Sequence, residues 1–380
     1  MGRIVIVGSG LAGYTLAREF RKLDSDSELV IVTADNGESY SKPMLSNALA
    51  QGKAAADLPN RDAAGMSEQL PARILARTRV TGIDREAREL VLDSGESLAY
   101  DRLVLALGAD PIRLPLKGDA ADEVLSVNDL DDYARFREAI GESARVVVLG
   151  AGLIGCEFAN DLRGAGYEVS LVELAEQPLA RLAPSEIGEA IRRRLAALGV
   201  SWHLGNPAQA VDRDNGGYTV TLEDGTTLAA DVVLSAVGLR PRTALAEEIG
   251  LKCERGVVVD AQLTTSDPHI YALGDCAEVN GEVLPYVMPL MNEARALAAV
   301  LTGESRELSY PVMPVVVKTP ALPLTVCPPA RGVDGQWQVE GDGDDLEAHF
   351  TDAEGQLRGF AVCGEANTRK LTLQKEVTPR

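Results

Sequence analysis

Residues 144–174 read ARVVVLGAGLIGCEFANDLRGAGYEVSLVEL, and the fold turns on this stretch. An apolar run comes first, then G-x-G-x-x-G at Gly150, Gly152 and Gly155, then a segment with helical spacing, then a second apolar run that ends at Glu173. That order predicts strand, turn, helix and strand, the βαβ unit of a parallel sheet. The first glycine makes a tight turn, the second lets backbone approach a pyrophosphate, and the third lets helix pack on strand. Free amides at the positive end of the helix then meet the pyrophosphate. Gly150, Gly152 and Gly155, with Leu153 and Ile154 between them, are the candidate cradle for a dinucleotide. Glu173 stands 18 residues after Gly155, where an acid would accept ribose hydroxyls and repel a 2′-phosphate. The next basic residue, Arg181, lies eight positions on, so NAD is favoured over NADP.

The same order appears near the N-terminus. RIVIVGSGLAGYTLAREFRKL, residues 3–23, is an apolar strand, a turn at Gly8, Gly10 and Gly13 (with Ser9, Leu11 and Ala12 between them), and a helix. SELVIVTAD, residues 27–35, is the next strand. In a chain of 36 glycines one such motif is weak, but two, 142 residues apart and each between strand and helix, make two dinucleotide units. The first departs from pattern: Thr33 and Ala34 stand where the acid is expected, and Asp35 follows 22 residues after Gly13. Either Asp35 reaches the ribose or backbone groups do. Two units suggest two nucleotides, one passing electrons to the other.

The intervening and following segments set the domain plan. YDRLVLALGADPIRLP (residues 100–115) and ADVVLSAVGLRPRT (residues 230–243) are each a strand followed by a proline-bearing exit, and they bracket an insertion. Residues 1–112 and 241–310 are then one domain, residues 113–240 an inserted one, with a hairpin turning at Asp224 and Gly225. From Tyr310 the texture changes to prolines, β-branched runs and alternation, which predicts a small antiparallel sheet flanked by a C-terminal helix over residues 311–380.

Composition excludes several function classes. A net charge of −20 disfavours nucleic-acid phosphates. No run of eighteen apolar residues is present, and the sequence enters a strand directly rather than a signal peptide, so a cytoplasmic protein is expected. The five cysteines include no C-x-x-C pair, which fits reduced thiols, and with three scattered histidines no metal site is expected.

Further chemistry lies in TTSDPHIYALGDCAEV, residues 264–279, where an apolar strand ends at Gly274 and Asp275. A carboxylate at the crevice end of a parallel strand is suited to a ribityl or ribose hydroxyl. The helix that follows carries Pro289 in its first turn and presents a positive end. SYSKPMLS, residues 39–46, holds the lone cation Lys42 and no cysteine.

These segments together resemble the flavoprotein reductases with two dinucleotide-binding domains, over essentially all of residues 1–310. SYSKPMLS, NDLDDYARFR (residues 128–137), LIGCEFANDL (residues 153–162), YVMPLM (residues 286–291) and VKTPALPL (residues 317–324) narrow the resemblance to the bacterial rubredoxin–NAD reductases. The resemblance implies an α/β fold of two Rossmann-like, glutathione-reductase-like domains plus a small α+β C-terminal domain. It implies FAD on the Gly8 turn, with Thr33, Ala34 and Val80 lining its adenosine, Asp275 on the ribityl chain, and Lys42, Val287 and Lys318 near the flavin head. It implies NADH on the Gly150 turn, Glu173 and Gly238. Lys42 and Glu157 are the implied catalytic residues, Glu157 beside the nicotinamide. A lysine near the ring compensates charge as the flavin is reduced, a fixed-charge role at a reactive centre.

The activity implied is hydride transfer from NADH to FAD and single-electron transfer to rubredoxin, as in supply to an alkane hydroxylase or oxygen detoxification. A ferredoxin reductase of an oxygenase system and an NADH-binding flavoprotein sensor with little turnover are the other readings. A dithiol mechanism needs a cysteine beside the flavin, and the segment where relatives carry it has none. Because rubredoxins are usually acidic, docking on this acidic chain calls for a local basic patch, for which Lys42, Lys318, Arg369 and Lys370 are the candidates.

Overall fold

The computed structural model describes residues 2–142 and 144–378. In chain order, β1 (Ile4–Val7), α1 (Leu11–Arg21), β2 (Leu29–Val32), β3 (Arg73–Leu75) and β4 (Arg102–Leu105) come first. Next are α2 (Leu130–Ile140), β5 (Arg145–Leu149), α3 (Leu153–Gly164), β6 (Glu168–Val172), α4 (Ser185–Ala197), β7 (Val200–His203) and β8 (Val232–Ser235). The chain then forms β9 (Ile270–Ala272) and α5 (Val287–Leu301). It closes with β10 (Val315–Val317), β11 (Leu324–Cys327), β12 (Gly335–Asp342), β13 (Asp345–Asp352), β14 (Leu357–Cys363) and α6 (Lys370–Glu376).

Two compact units result. One comprises Met1–Ser41, Leu58–Asp110 and Leu239–Tyr310; the other comprises Lys42–Asp57, Pro111–Gly238 and Pro311–Arg380. In the first unit a parallel sheet runs β9-β4-β1-β2-β3. Its inner strands are apolar without alternation because both faces are covered, and β1, β2 and β4 read as buried throughout or nearly so. Helix α1 buries Gly13, Leu16, Ala17 and Phe20, the spacing of one helical face. Burying a side chain such as Ile6 or Phe20 is worth about 1.5–3 kcal/mol each.

The second unit repeats the plan. Its parallel sheet runs β7-β6-β5-β8, with Val146 registered on Val169 and on Val232. In both sheets the chain runs outward on one side of the central strand (β1 or β5) and later returns on the other. The crevice beyond the carboxyl end of that strand is the switch point at which ligands bind in such sheets. Thr227–Ala230 pairs antiparallel with Gly217–Leu222, and Gly225 takes a left-handed φ of 87° in the connecting turn. The C-terminal strands form an antiparallel sheet of order β10-β11-β14-β13-β12, against which α6 packs through Leu373 and Val377 just beyond it.

Two segments group differently from the sequence-based plan. Lys42–Asp57, read as part of the first dinucleotide domain, and the C-terminal segment, read as separate, both fall in the second unit. The reason is polar: Asp161 on α3 accepts the N–H groups of Leu49 and Ala50, and Asn160 accepts that of Ala321. Arg193 on α4 adds a bond to the Gly343 carbonyl and an ion pair with Asp344. The helix after Asp275 begins at Val287, so Pro289 is its third residue. No helix among the described residues is long and apolar enough to cross a membrane.

Candidate functional site

The two glycine turns have nearly one geometry. Gly8 and Gly150 adopt φ of 114° and 99°, a region that glycine alone enters without strain. A Cβ on Gly13 would lie 2.0 Å from the Gly8 carbonyl oxygen, and one on Gly155 would lie 1.8 Å from that of Gly150. Helix therefore meets strand only because both are glycine. At the middle positions a Cβ on Gly10 or Gly152 would meet nothing within 4 Å. These glycines are also the N-caps of α1 and α3, and neither helix has a side-chain cap. An open face beside uncapped helix amides fits a bound pyrophosphate in both units.

The acids beyond the next strand differ. Glu173 follows β6 directly; its Oε2 accepts the Ala151 N–H at 2.6 Å and its Oε1 accepts that of Ala175 at 3.0 Å. The carboxylate is thus fixed to the glycine turn itself, where a ribose would lie. In the first unit Asp35 Oδ1 accepts from Thr33 Oγ1 at 2.7 Å and from the Gly37 N–H at 2.8 Å, and Ser9 Oγ lies 2.9 Å away. Asp35 is exposed, as is Ala34, whereas Thr33 is buried and Val80 half-buried.

The floor of the first unit is set by a buried acid that the sequence did not single out. Glu293 on α5 accepts the Gly274 N–H at 2.6 Å and the Tyr310 hydroxyl at 2.6 Å. Gly274 takes φ of 74°, so this bond fixes the backbone beside Asp275. Burial pushes the Glu293 carboxyl above its usual range, while Tyr310 and the Gly274 amide pull it back. Val287, the first residue of α5, is part-exposed.

In the second unit Glu157 on α3 meets Lys318, and Lys42 is held just ahead of α2. Glu157, whose side chain is 0% exposed, forms an ion pair with Lys318 Nζ. It also accepts the Lys318 N–H at 2.9 Å and the Ser46 hydroxyl at 2.5 Å. Lys318 Nζ reaches Ser46 Oγ as well, at 3.1 Å. A carboxylate so deeply buried requires that cation and those donors. Lys42 Nζ donates to Asn128 Oδ1 at 2.7 Å. Gly238, with φ of 117°, passes its carbonyl to the Ile112 N–H at 3.0 Å.

Sequence reasoning missed Ser46, Asn128, Asn160 and Asp161. The signal for the last two was present: they stand three and four residues after Glu157, on its helical face. The basic docking patch changes character, because Lys318 is paired with Glu157 and Arg369 with Glu347 at 2.8 Å. Their charge is offset locally and offers an acidic partner less than the sequence implied. All five cysteines are free. Burial raises the Cys156 thiol and pushes that of Cys276 up to about 12, so both sit as neutral packing groups beside the motifs.

Residues 2–298 match the Pyridine nucleotide-disulphide oxidoreductase family, and residues 307–377 match the Rubredoxin binding C-terminal domain. The chain is 52% identical over 378 residues to the Rubredoxin-NAD(+) reductase of Alcanivorax borkumensis, covering 99% of each. It is 49% identical over 385 residues to the protein of that name from Acinetobacter baylyi, covering 99% of this chain and 98% of the relative. Among solved structures, a ferredoxin reductase from Rhodopseudomonas palustris matches with a TM-score of 0.89 at 30% identity, over 99% of this chain and 96% of that one.

Proposed function

The chain belongs to the pyridine nucleotide-disulphide oxidoreductase family, and on that premise we propose that it is an FAD-dependent, NADH-driven reductase of rubredoxin. One observation carries the reading: the segment matching the rubredoxin-binding domain contains Lys318, which is bonded to Glu157 on the helix that opens at the second glycine turn. When bound, FAD supplies the chemistry that accepts two electrons from a nicotinamide and releases them singly.

The chain's own residues do the binding and orienting. The amides of the Gly8 turn hold the FAD pyrophosphate, and Asp275 holds its ribityl chain through a backbone that Glu293 fixes. The Gly150 turn holds the NADH pyrophosphate, and Glu173 takes its ribose hydroxyls and disfavours a 2′-phosphate. Glu157, excluded from water and tied to Lys318 and Ser46, holds its carboxylate in one orientation near the nicotinamide. Lys42 provides positive charge at the flavin head. One NADH yields one NAD⁺ and a proton, and two ferric rubredoxins become ferrous. No thiol takes part: among the described residues no cysteine lies in the segment 39–46.

The test is steady-state oxidation of NADH by the FAD-loaded protein with rubredoxin or a plant-type ferredoxin as acceptor. Rubredoxin is expected to be reduced at least tenfold faster at equal concentration. Faster reduction of ferredoxin would transfer the chain to the ferredoxin reductases, which the likeness to the Rhodopseudomonas structure favours. Absence of turnover with either would overturn an electron-transfer role.

A further inference from the structure

Residues 42–57 carry Lys42 and Ser46 yet contain no strand and only two short 3₁₀ turns, Lys42–Met44 and Ala55–Asp57. A segment so poor in regular structure is held by other means. Three buried polar side chains on α3 stand at one helical face: Glu157, Asn160 and Asp161, exposed by 1%, 7% and 3%. Asp161 Oδ2 accepts the Leu49 N–H and its Oδ1 accepts the Ala50 N–H, each at 2.9 Å. One turn of helix earlier, Glu157 accepts the hydroxyl of Ser46, three residues before Leu49. The segment is thus clamped twice on the same helix. Leu45, Ala48 and Leu49 within it are buried, and the Tyr133 and Arg137 side chains of α2 hold the Lys53 carbonyl.

Burying a carboxylate is costly, and an apolar residue would cover α3 at less expense. Burial pushes the Asp161 carboxyl up, and the Ala50 and Leu49 amides pull it back. The return on that cost is directional: two parallel N–H bonds fix where Leu49 and Ala50 lie along α3, which apolar packing does not. Ser46 and Lys42 follow from that register. The helix so marked is the one whose first turn carries Gly152 and Gly155.

We propose that Asp161 is a positioning residue for hydride transfer, clamping the segment 42–57 on the dinucleotide helix so that Ser46 and Lys42 are held in register with Glu157. This rests on the hydride-transfer reading above. Asp161 acts through the backbone of Leu49 and Ala50, never on the nucleotide.

The test uses full-length, FAD-loaded protein and Asp161→Asn, which keeps shape but turns one acceptor into a donor facing an N–H. Amide exchange by mass spectrometry on peptides covering Leu49 and Ala50 reads the clamp without any activity. Stopped-flow bleaching of the flavin by NADH separates the limiting rate from the NADH dissociation constant. We expect exchange at Leu49 and Ala50 to quicken, the limiting rate to fall about tenfold, since small misplacements near reacting groups cost one to two decades, and the dissociation constant to move less than about threefold. Combined with Ser46→Ala, the double variant should be no slower than the slower single one, because both act through one geometry. Asp161→Glu, which keeps the charge but lengthens the arm, should show the same pattern and serves if Asp161→Asn does not fold. Quickened exchange with an unchanged limiting rate, or additive losses in the double variant, would overturn the positioning role. Failure of the wild-type protein to bleach would instead overturn the hydride-transfer reading itself.

Discussion

The two glycine turns share a backbone and differ in what stands beside it. Both rest on the same steric facts: a left-handed first glycine, an open second, and a third on which a Cβ would fall within 2.0 Å of the first glycine's carbonyl oxygen. At the residue after the first glycine, Ser9 points a hydroxyl toward Thr33 and Asp35, whereas Ala151 has only its N–H to give, and Glu173 takes it. The first unit therefore organises its acid through side chains two positions past the usual place, and the second through the turn's own amide. Close approach of helix and strand is common to both folds. The difference lies at the end of the following strand, where a shift of two residues changes which groups anchor the carboxylate.

The largest effect that would break the symmetry comes from the third glycines. Gly13→Ala and Gly155→Ala each force a methyl onto a carbonyl oxygen, at an expected cost of about 1–3 kcal/mol in chemical denaturation. Their consequences should part: Gly13→Ala is purified with little bound FAD, while Gly155→Ala stays yellow but is not bleached by NADH. Loss of flavin from both would contradict the assignment of nucleotides to turns.

Next in size, Glu173→Ala removes charged hydrogen bonds worth about 1.5–3 kcal/mol, so the KM for NADH should rise about ten- to hundredfold with kcat little changed. Asp35→Asn keeps the oxygen that Thr33 and Gly37 use, and FAD affinity should fall about fivefold or less, which flavin release during gel filtration would report.

A smaller effect concerns pH. The folded pKa of Glu293 lies above the ordinary value of 4.5, chiefly through burial. Between those two values the folded state holds a proton that the unfolded state has lost, so this residue's contribution to stability declines as pH rises through the window. Melting temperatures of wild type and Glu293→Gln, measured from pH 4 upward, should show the fall in the former and a flatter profile in the latter. A steeper profile in the variant would refute the sign.

The smallest effect is expected from sulfur. Cys156→Ala and Cys276→Ala should bleach with NADH within about twofold of wild type, since both thiols are buried and protonated at neutral pH. A tenfold loss in either would bring a thiol into the electron path.

Much of the fold was legible because glycine spacing and apolar runs are local signals. β1, α1, β5 and α3 begin where the motifs place them, and the hairpin turns at Gly225 as the Asp-Gly pair predicts. The Glu157 cluster was legible only in part. Glu157 and Lys318 were named separately, but their pairing joins residues 161 positions apart, and no periodicity records that. Nor does composition show that Asp161 would draw Lys42–Asp57 out of the unit it follows in sequence. Glu293 was hidden for the same reason: within an amphipathic helix an acid reads as surface until the Gly274 amide and the Tyr310 hydroxyl are seen to meet it.

The most direct measurement is anaerobic. FAD-loaded protein is mixed with one equivalent of NADH, and the flavin absorption is followed before and after adding oxidised rubredoxin. The account predicts rapid loss of flavin absorption, then its return as two rubredoxins are reduced for each NADH consumed. Flavin that NADH does not bleach, or bleached flavin that rubredoxin does not restore, would contradict it.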